Sequence, residues 1–381
     1  MNQPLAIVGA SARAAAASAV RAGFQPLAAD LFADADLRRI ATATRISPYP
    51  EGFIDWMRTI EPPVWMYTGA LENHPDLVDQ LGWIAPLWGN SGDVLARVRS
   101  PWELAEILST AGLLFPEVRE SAEALPRDGS WLMKTYAGAS GSGVRAWTDE
   151  QEANNNEIAA CFQKRIEGVP CAAVFVASGD RAKLLGVTRQ LIGETWLGGQ
   201  GFQYCGSIGP WPISERTRAT IERLGGILVK HFELIGLFGV DFILNGDNVW
   251  TLEVNPRYTA SVEIVERFTG ASAIREHAIA CGATLAEKTS PITEQIQPAS
   301  GKAIVFARRD LTISALFAEQ ALEQAFESPW PSLADISTAG TQVEAGRPVL
   351  TIFGNGDSVD QVERDLHQRV AELEKKIYSS T

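Results

Sequence analysis

Apolar and polar residues alternate in short blocks along this chain, and the blocks predict a mixed succession of strands and helices. An apolar run over 5–10 predicts a buried strand, the Ala-rich stretch 11–22 predicts a helix, and 25–29 predicts a second strand. A third strand is predicted over 64–68, with a helix near 75–81. A strand–helix–strand opening is typical of α/β proteins of the nucleotide-binding type.

The middle of the chain is predicted to be rich in strands, because short apolar runs are separated by Gly, Ser and Asp turns. A connector over 88–99 leads into a helix over 101–111, which has Pro101 at its start and Gly112 as its stop. A long helix over 214–235 follows the strands. The predicted strands cover 130–134, 144–147, 161–166, 172–176 and 182–188.

Two further apolar strands, over 239–244 and 250–255, come directly after that long helix. The residues Asn245-Gly246-Asp247 lie between them, and such residues supply the positive φ angles that tight turns need. We therefore predict a β-hairpin.

This hairpin carries the residues most suited to chemistry. Side chains alternate along a strand, so Glu253 and Asn255 point the same way, and the hairpin can fold Asp241 back beside them. Two carboxylates and an amide oxygen suit Mg²⁺, which usually keeps water and substrate phosphates as its other ligands. Arg257 follows and could stabilise developing anionic charge. A polar-faced hairpin that binds no metal is the alternative interpretation.

A lysine before a glycine-serine loop is the second candidate for chemistry. Lys134 ends a predicted strand, and the loop 138–143 contains Gly141, Ser142 and Gly143. Small residues let backbone N–H groups approach phosphate oxygens, and a lysine supplies a point charge for phosphate. The order is not that of a Walker A motif, and a flexible hairpin tip with an exposed lysine is the alternative.

A third candidate is the stretch 163–168. An edge strand containing Gln163, Lys164 and Ile166 could offer backbone groups to an adenine, with Ile166 as an apolar wall. A plain strand ending in a turn is the alternative. Near another strand end, Arg189 and Gln190 could bind an acid group, because arginine matches carboxylates bidentately.

The first loop is similar to a dinucleotide fingerprint, with Gly9 after the first strand and Asp30 after the second. Ser11 and Ala14 stand where further glycines would be expected. We interpret the loop as packing of a helix on a sheet, and keep an NAD(P)-dependent oxidoreductase as the alternative function.

Composition restricts the classes of function. The chain has 381 residues, 46% of them hydrophobic, and a formal net charge of −13, which indicates a multidomain globular protein without a general nucleic-acid-binding face. The four cysteines form no CxxC pair, the histidines show no zinc spacing, and no apolar run is long enough to span a membrane. We expect a reduced, cytoplasmic protein with no membrane partner.

The motifs, in this order along the chain, resemble the ATP-grasp superfamily. They are Lys134 with its loop, the hinge strand with Gln163, and Asp241 followed by the run 253–257. The tail, through 335–336, 340–341 and 346–351, resembles the barrel of the carboxylase-like branch. The resemblance implies an α/β fold in which 1–95 form a Rossmann-like N-terminal domain, 96–292 the ATP-grasp domain, and 293–381 a small β-rich C-terminal domain with a terminal helix.

The resemblance also implies an ADP-forming carboxylate–amine ligase that uses ATP and Mg²⁺ (or Mn²⁺). Its substrates would be a small-molecule carboxylate and a nucleophile, as in amino-acid, peptide or cofactor biosynthesis, and the chain could form a homodimer. A nucleotide-binding protein without enzymatic activity is the other alternative. The implied roles are phosphate binding by Lys134, Gly141, Ser142 and Gly143; adenosine binding by Gln163, Lys164, Ile166 and Glu167; metal binding by Asp241, Glu253 and Asn255; catalysis by Arg257 and Lys134; and weaker substrate candidates in Arg189, Gln190 and Tyr204.

Three positions depart from the usual pattern of this superfamily. Ser100-Pro101 replace an Asp-Lys pair at the start of the linker helix, which leaves Arg99 as the nearest basic residue. Lys164 stands where many relatives have an acidic residue. The usual acidic ribose ligand is missing after the hinge, which leaves Glu167 as its candidate replacement.

Overall fold

The structure is a computed structural model, and it describes residues 3–149, 160–285, 296–328 and 330–378. In the described part of the chain, no helix is both long enough and apolar enough to cross a membrane. The four cysteines, all within the described ranges, are unpaired thiols, and three of them are buried.

The N-terminal part is a parallel sheet of four strands in the order β3-β2-β1-β4, flanked by helices. Its elements are β1 (Pro4–Val8), α1 (Arg13–Arg21), β2 (Gln25–Asp30), α2 (Ala35–Ile40), β3 (Thr42–Arg45), α3 (Gly52–Ile60), β4 (Trp65–Tyr67), α4 (Pro75–Gly82), α5 (Gly92–Val98) and α6 (Pro101–Thr110). A short 3-10 helix over Leu71–Asn73 follows β4. The predicted Rossmann-like opening is therefore present.

A small antiparallel sheet follows, in the order β5-β8-β6-β7. Its strands are β5 (Val118–Arg119), β6 (Asp128–Thr135), β7 (Val144–Thr148) and β8 (Ala160–Lys164). Its apolar side is filled by Trp131, Met133, Trp147 and Phe162, and the rings of Trp147 and Phe162 pack edge to face with centroids 5.0 Å apart. The loop 138–143 joins β6 to β7 at one end of this sheet.

A larger antiparallel sheet of eight strands forms the centre of the molecule, in the order β13-β12-β9-β10-β11-β14-β18-β16. The middle of the chain supplies β9 (Val169–Ser178), β10 (Arg181–Ile192), β11 (Tyr204–Gly209), α7 (Glu215–Phe232), β12 (Gly236–Asn245), β13 (Asn248–Asn255), α8 (Val262–Thr269) and α9 (Ala273–Ala280). Leu224 and Leu228 of α7 pack with Phe175 and Phe238, whose rings stack 4.9 Å apart. This packing makes the sheet a rigid support for the hairpin β12–β13.

The last part of the chain completes the same sheet. Strand β14 (Ala299–Phe306) pairs antiparallel with β11, so Gly206 lies opposite Ala303. The remaining elements are β15 (Leu311–Thr312), α10 (Ala315–Ala325), β16 (Leu333–Ala334), β17 (Gln342–Val343), β18 (Pro348–Gly356) and α11 (Val359–Tyr378). The predicted domain boundary near 292 lies outside the described residues, and the division into three domains stays a prediction.

Helix ends follow the residue types expected of caps. The hydroxyl of Ser214 accepts a hydrogen bond from the backbone N–H of Thr217 at the start of α7, and Ser100 does the same for Glu103 in α6. Two sequence predictions need correction. The predicted connector 88–99 contains the helix α5, and the strand predicted over 161–166 ends at Lys164.

Candidate functional site

The predicted hairpin brings the metal-ligand candidates together. Asp241 on β12 lies directly opposite Glu253 on β13, and opposed residues of an antiparallel pair project from the same face. The side-chain amide of Asn255 donates to Asp241 Oδ2 at 3.0 Å, and the amide of Gln190, on β10, donates to Asp241 Oδ1 at 3.0 Å. Two side-chain amides therefore orient the Asp241 carboxylate towards Glu253.

These two carboxylates are partly buried and close together, and this placement shifts their pKa values in opposite directions. Burial, together with the adjacent Glu253, raises the pKa of Asp241 to about 8. Burial acts the same way on Glu253, but Lys134, Arg99 and Arg257 outweigh it, so the pKa of Glu253 lies below its usual range. A cation between the two oxygen sets would relieve this repulsion, so the pair suits a hard divalent ion.

Phosphate oxygens and water would have to complete the coordination of such an ion. Among the described residues, no group of three His, Cys, Asp or Glu side chains could hold a metal. The Asn255 oxygen accepts from Arg257 Nη2 at 3.1 Å and keeps a second lone pair. A site with two carboxylates and one shared amide oxygen is typical of Mg²⁺ held jointly by protein and substrate phosphates.

Lys134 and the glycine-serine loop face the hairpin across one cavity of about 700 Å³. Lys134 Nζ donates to Gln163 Oε1 at 3.2 Å. Gly141 adopts φ +78°, and an added Cβ would lie 1.9 Å from the Phe202 carbonyl oxygen, so only glycine fits there. Gly141 and Gly143 line the cavity, whereas the Ser142 hydroxyl is turned back to the carbonyl of Ala139 at 2.8 Å.

The predicted adenosine residues lie on the wall of the same cavity. Gln163, Lys164, Ile166 and Glu167 all contribute to it, although Ile166 and Glu167 come after the end of β8. The backbone N–H of Lys164 is already bonded to the carbonyl of Glu117 at 2.8 Å. Glu167 has 83% of its side chain exposed, and Arg165 Nε is 3.6 Å from it. A ligand would therefore contact the hinge through the residues that follow Lys164, and not through the backbone N–H of Lys164.

Arg257 is held by an acidic residue that the sequence analysis did not single out. Its Nε donates to Glu72 Oε1 at 2.8 Å, and Arg99 Nη1 lies 3.6 Å from the same oxygen. The other oxygen, Glu72 Oε2, is buried and has no hydrogen-bond partner among the described residues. Glu72 lies in the 3-10 helix after β4, and an acidic residue in a polar loop carries no distinctive sequence signal.

The substrate candidates separate into two groups. Gln190 and Tyr204 line the cavity, and the Tyr204 hydroxyl lies 2.7 Å from that of Ser207. Arg189 points to the opposite face of the sheet, where its Nη2 is 2.5 Å from Glu363 Oε1 on α11. Neighbouring side chains on a strand face opposite ways, so Gln190 and Arg189 cannot both reach the cavity. The prediction that Arg189 contacts substrate therefore needs correction.

The first loop does not have the geometry of a dinucleotide site. The carboxylate of Asp30 is fully buried and accepts three backbone N–H bonds, from Ala12, Phe32 and Ala33, at 2.9, 2.9 and 2.6 Å. A Cβ on Gly9 would lie 2.1 Å from Thr68 Oγ1. Asp30 therefore fixes loops instead of facing a ribose, and Gly9 is required for the close packing of β1 against β4.

Comparison with known proteins places these features in a family context. Residues 98–261 match a family model described as the ATP-grasp domain. Among solved structures, L-amino acid ligase from Bacillus licheniformis superposes with a TM-score of 0.70 at 16% identity, over 97% of this chain and 97% of that one. Carboxyaminoimidazole ribonucleotide synthase from Aspergillus clavatus, complexed with ATP, gives 0.69 at 14%, over 99% of each chain.

A third likeness is to a biotin carboxylase domain. That of 2-oxoglutarate carboxylase from Hydrogenobacter thermophilus, solved with MgADP, ADP and bicarbonate, gives a TM-score of 0.66 at 15% identity, over 94% of this chain and 87% of that one. At such identities the likeness establishes the fold alone. The predicted α/β fold with a Rossmann-like opening is thereby confirmed.

Proposed function

Because this chain carries an ATP-grasp domain within an ATP-grasp fold, we propose that it is an ATP-dependent, ADP-forming ligase for a small-molecule carboxylate. One observation carries the proposal. The opposed carboxylates of Asp241 and Glu253 line the same cavity as Lys134 and the glycine loop. A cavity with acidic metal ligands on one side and phosphate-binding groups on the other suits phosphoryl transfer.

In the proposed reaction, an oxygen of the substrate carboxylate attacks the γ-phosphorus of ATP, and the bond to the β–γ bridging oxygen breaks. The products of this step are an acylphosphate and ADP. A nucleophile, such as an amine, then attacks the acyl carbon, phosphate leaves, and the amine loses a proton. We assign phosphate binding to Lys134 and to the N–H groups of Gly141 and Gly143, and assign Ser142 to the same loop without a direct contact.

We assign the adenosine end to Gln163, Lys164, Ile166 and Glu167, which line one wall of the cavity. At the other end, Arg257 would stabilise charge on the transferred phosphoryl group, and Glu72 would hold Arg257 in position through the contact at 2.8 Å. Arg99 shares Glu72 and could serve in place of the usual linker lysine.

We propose that Asp241, Glu253 and Asn255 hold Mg²⁺, with Mn²⁺ as an equivalent ion. When bound, the metal would neutralise charge on the phosphates. The amides of Asn255 and Gln190 hold Asp241 in its orientation, and the cations around Glu253 keep it ionised. We also carry forward the three-domain division, 1–95, 96–292 and 293–381, as part of this proposal.

Trapping of the acylphosphate tests the proposal without knowledge of the nucleophile. The purified protein is incubated with ATP, Mg²⁺, hydroxylamine and sets of small carboxylates that include amino acids, short peptides and cofactor precursors. Hydroxylamine attacks an acylphosphate and gives a coloured ferric hydroxamate, while ADP is measured in the same sample. We expect hydroxamate and ADP in equal amounts with one carboxylate class, and loss of both in Glu253→Gln.

Binding measurements separate this proposal from its two alternatives. A ligand that binds the native state raises the unfolding midpoint by mass action. We expect ATP–Mg²⁺ to raise it and NADH to leave it unchanged. A rise with NADH alone would support the oxidoreductase, whereas ATP binding with no carboxylate-dependent ADP formation would support a nucleotide-binding protein without ligase activity.

A further inference from the structure

The wall of the cavity includes a second group of charged residues, which come from parts of the chain other than those assigned to ATP. This group consists of Arg13, Asp34, Lys302 and Asp335, and we call it the Asp34 subsite. Asp34 lies at the start of α2, Arg13 opens α1, and Lys302 and Asp335 belong to the C-terminal part of the central sheet and its loops. Three distant parts of the sequence therefore meet there.

Asp34 is the unusual residue of this group. Only 8% of its surface is exposed, yet it lines the cavity. It occupies the N-cap position of α2, but its side chain accepts no capping hydrogen bond from that helix. No side chain or backbone group of the described residues donates to its carboxylate. The small exposed part of Asp34 therefore faces the cavity, and a carboxylate in such a largely buried position is normally paired or bound to a ligand.

The cations nearby are already engaged. Arg13 donates to both oxygens of Glu263 and to Asp335, with Nε 3.0 Å from Asp335 Oδ1. Lys302 Nζ donates to Glu263 Oε2 at 3.4 Å. Both cations therefore donate to other carboxylates, and neither makes a hydrogen bond to Asp34.

The other acids around Asp34 are satisfied by the protein. Asp30 accepts three backbone N–H bonds, and Asp36 accepts from the backbone N–H groups of Asp335 and Ile336, each at 3.0 Å. Burial, followed by the charges of Asp335, Asp36 and Asp30, raises the pKa of Asp34 to about 8, while Arg13 acts in the opposite direction. A cation bound beside Asp34 would oppose these effects and favour its ionised form.

Different charged residues surround Asp34 and Glu253. The charges that act on Glu253 are those of Lys134, Arg99 and Arg257, whereas the charges that act on Asp34 are Asp335, Asp36, Asp30 and Arg13. Coulombic effects fall with distance, so this difference favours a role for Asp34 in recognising a part of a substrate other than its reacting group.

We propose that the Asp34 subsite binds an ammonium or guanidinium group, so that one substrate of this enzyme carries a basic nitrogen in addition to its reacting group. This inference rests on the proposed ligase function and narrows its substrate class. A substrate with a neutral group beside Asp34 would leave the carboxylate unpaired, and a substrate with an acidic group there would add repulsion.

Calorimetric titration of the full-length protein with matched amino acids tests the inference. The probes are L-ornithine, L-norvaline and L-glutamate, whose side chains end in a cation, a methyl group and an anion, with L-arginine as a guanidinium probe. Titration at about pH 8.5 keeps the carboxylate of Asp34 and the side-chain ammonium largely ionised. We expect ornithine or arginine to bind at least tenfold more tightly than norvaline, and glutamate to bind most weakly.

Substitutions then assign the preference to Asp34. Asp34→Asn should remove the tenfold preference, and Asp34→Glu, which keeps the charge, should retain part of it. Asp55→Asn is the matched control, because Asp55 lies in the same N-terminal part with 91% of its side chain exposed, and it should change nothing.

Two results would overturn the inference: no preference for the cationic probes in the natural protein, or an unchanged preference in Asp34→Asn. A separate titration with ATP–Mg²⁺ reports on the proposed function. If the natural protein did not bind ATP–Mg²⁺, the ligase proposal would fail. If it bound ATP–Mg²⁺ but showed no preference for the cationic probes, only the Asp34 subsite would fail.

Discussion

Two acidic clusters lie at the wall of one cavity or directly behind it, and they are built in opposite ways. Asp241 and Glu253 come from one hairpin and meet through the register of a single strand pair. Glu263 and Asp34 come from segments far apart in sequence, and their cluster includes Arg13 and Lys302. The first cluster is held by secondary structure, whereas the second depends on the packing of the N-terminal sheet against the end of the chain.

The difference indicates a division of labour. Charges that repel each other on a rigid hairpin are suited to hold a ligand, because the support does not depend on their own attraction. Charges that attract each other across three segments join those segments, and removing one leaves its partners buried and unpaired. The hairpin cluster should therefore be sensitive in activity, and the second cluster should be sensitive in stability.

The largest effect is expected from Glu253→Gln, which tests the hairpin side of this division. Loss of one metal-binding carboxylate should lower carboxylate-dependent ADP formation on the order of 10³-fold. Urea denaturation should show an unfolding free energy at most modestly below that of the natural protein, because the lost attraction to Lys134, Arg99 and Arg257 is partly offset by the lost repulsion with Asp241. Glu222→Gln, at an exposed position on α7 away from the cavity, serves as the control. A strong loss of stability with retained activity would reverse the assignment.

Glu263→Gln tests the other side of the comparison. It leaves Arg13 and Lys302 without their shared carboxylate, so the free energy of unfolding should fall by roughly 3–5 kcal/mol. Arg13 and Lys302 outweigh the effect of burial and hold the pKa of Glu263 below its usual range. A group of this kind stabilises the fold above its unfolded pKa and loses that contribution as the pH falls, so the difference between variant and natural protein should shrink in acid.

Chemical denaturation across a series of pH values measures this difference. Glu276→Gln is the control, because Glu276 pairs with the exposed Lys183 and should contribute about 0–1 kcal/mol. If Glu263→Gln and Glu276→Gln were equally stable, the contacts of Glu263 with Arg13 and Lys302 would not hold the N-terminal part of the molecule to the last part of the chain.

Lys134→Ala is expected to act on binding rather than on folding. Loss of a charged hydrogen bond to phosphate costs about 1.5–3 kcal/mol, so the affinity for ATP–Mg²⁺ should fall about 10- to 100-fold in calorimetry. Amide exchange across 138–143 should also lose the protection that nucleotide confers on the natural protein. Lys183→Ala is the matched control, and equal exchange with and without nucleotide in the natural protein would remove the loop from the mechanism.

The smallest effect should come from Asp34→Asn, which should raise the free energy of unfolding, whereas Glu263→Gln lowers it. The pKa of Asp34 is raised in the folded protein, so ionisation costs stability as the pH rises from about 4 to about 8. Asparagine avoids this cost, and the variant should be more stable by roughly 1–3 kcal/mol, with the gain growing over that interval. Thermal unfolding measured at several pH values tests it, with Asp55→Asn as the control. A pH-independent difference would mean that Asp34 is not the group responsible.

The parts of the site that are local in sequence could be predicted, and the parts that depend on tertiary contacts could not. The hairpin of Asp241 and Glu253, the loop after Lys134 and the hinge of Gln163 each follow from short patterns of apolar residues and turns. Glu72 and Asp34 are single acids in loops, and only the packing of distant segments makes them unusual.

Two errors have simple physical causes. Arg189 and Gln190 are adjacent on one strand, and the sequence does not state which of the two faces the cavity. The helix α5 begins at Gly92, a residue that usually indicates a loop. Here the backbone N–H of Gly92 donates to Asp79 Oδ1 at 2.8 Å, and an added Cβ would lie 2.4 Å from the Pro75 carbonyl oxygen. The glycine permits close approach of two helices instead of ending one.

The pairing of β11 with β14 has a consequence for how the protein is made. The ribosome synthesises the chain from its N-terminus, so β11 emerges well before β14. Until β14 is made, the edge of β11 that pairs with it has no hydrogen-bonding partner. The carboxylate of Glu263 likewise lacks the hydrogen bond from Lys302 until that residue has been synthesised. The central sheet can close only when the last part of the chain has been synthesised, and a nascent chain stalled before β14 would present an open strand edge to chaperones and to other nascent chains.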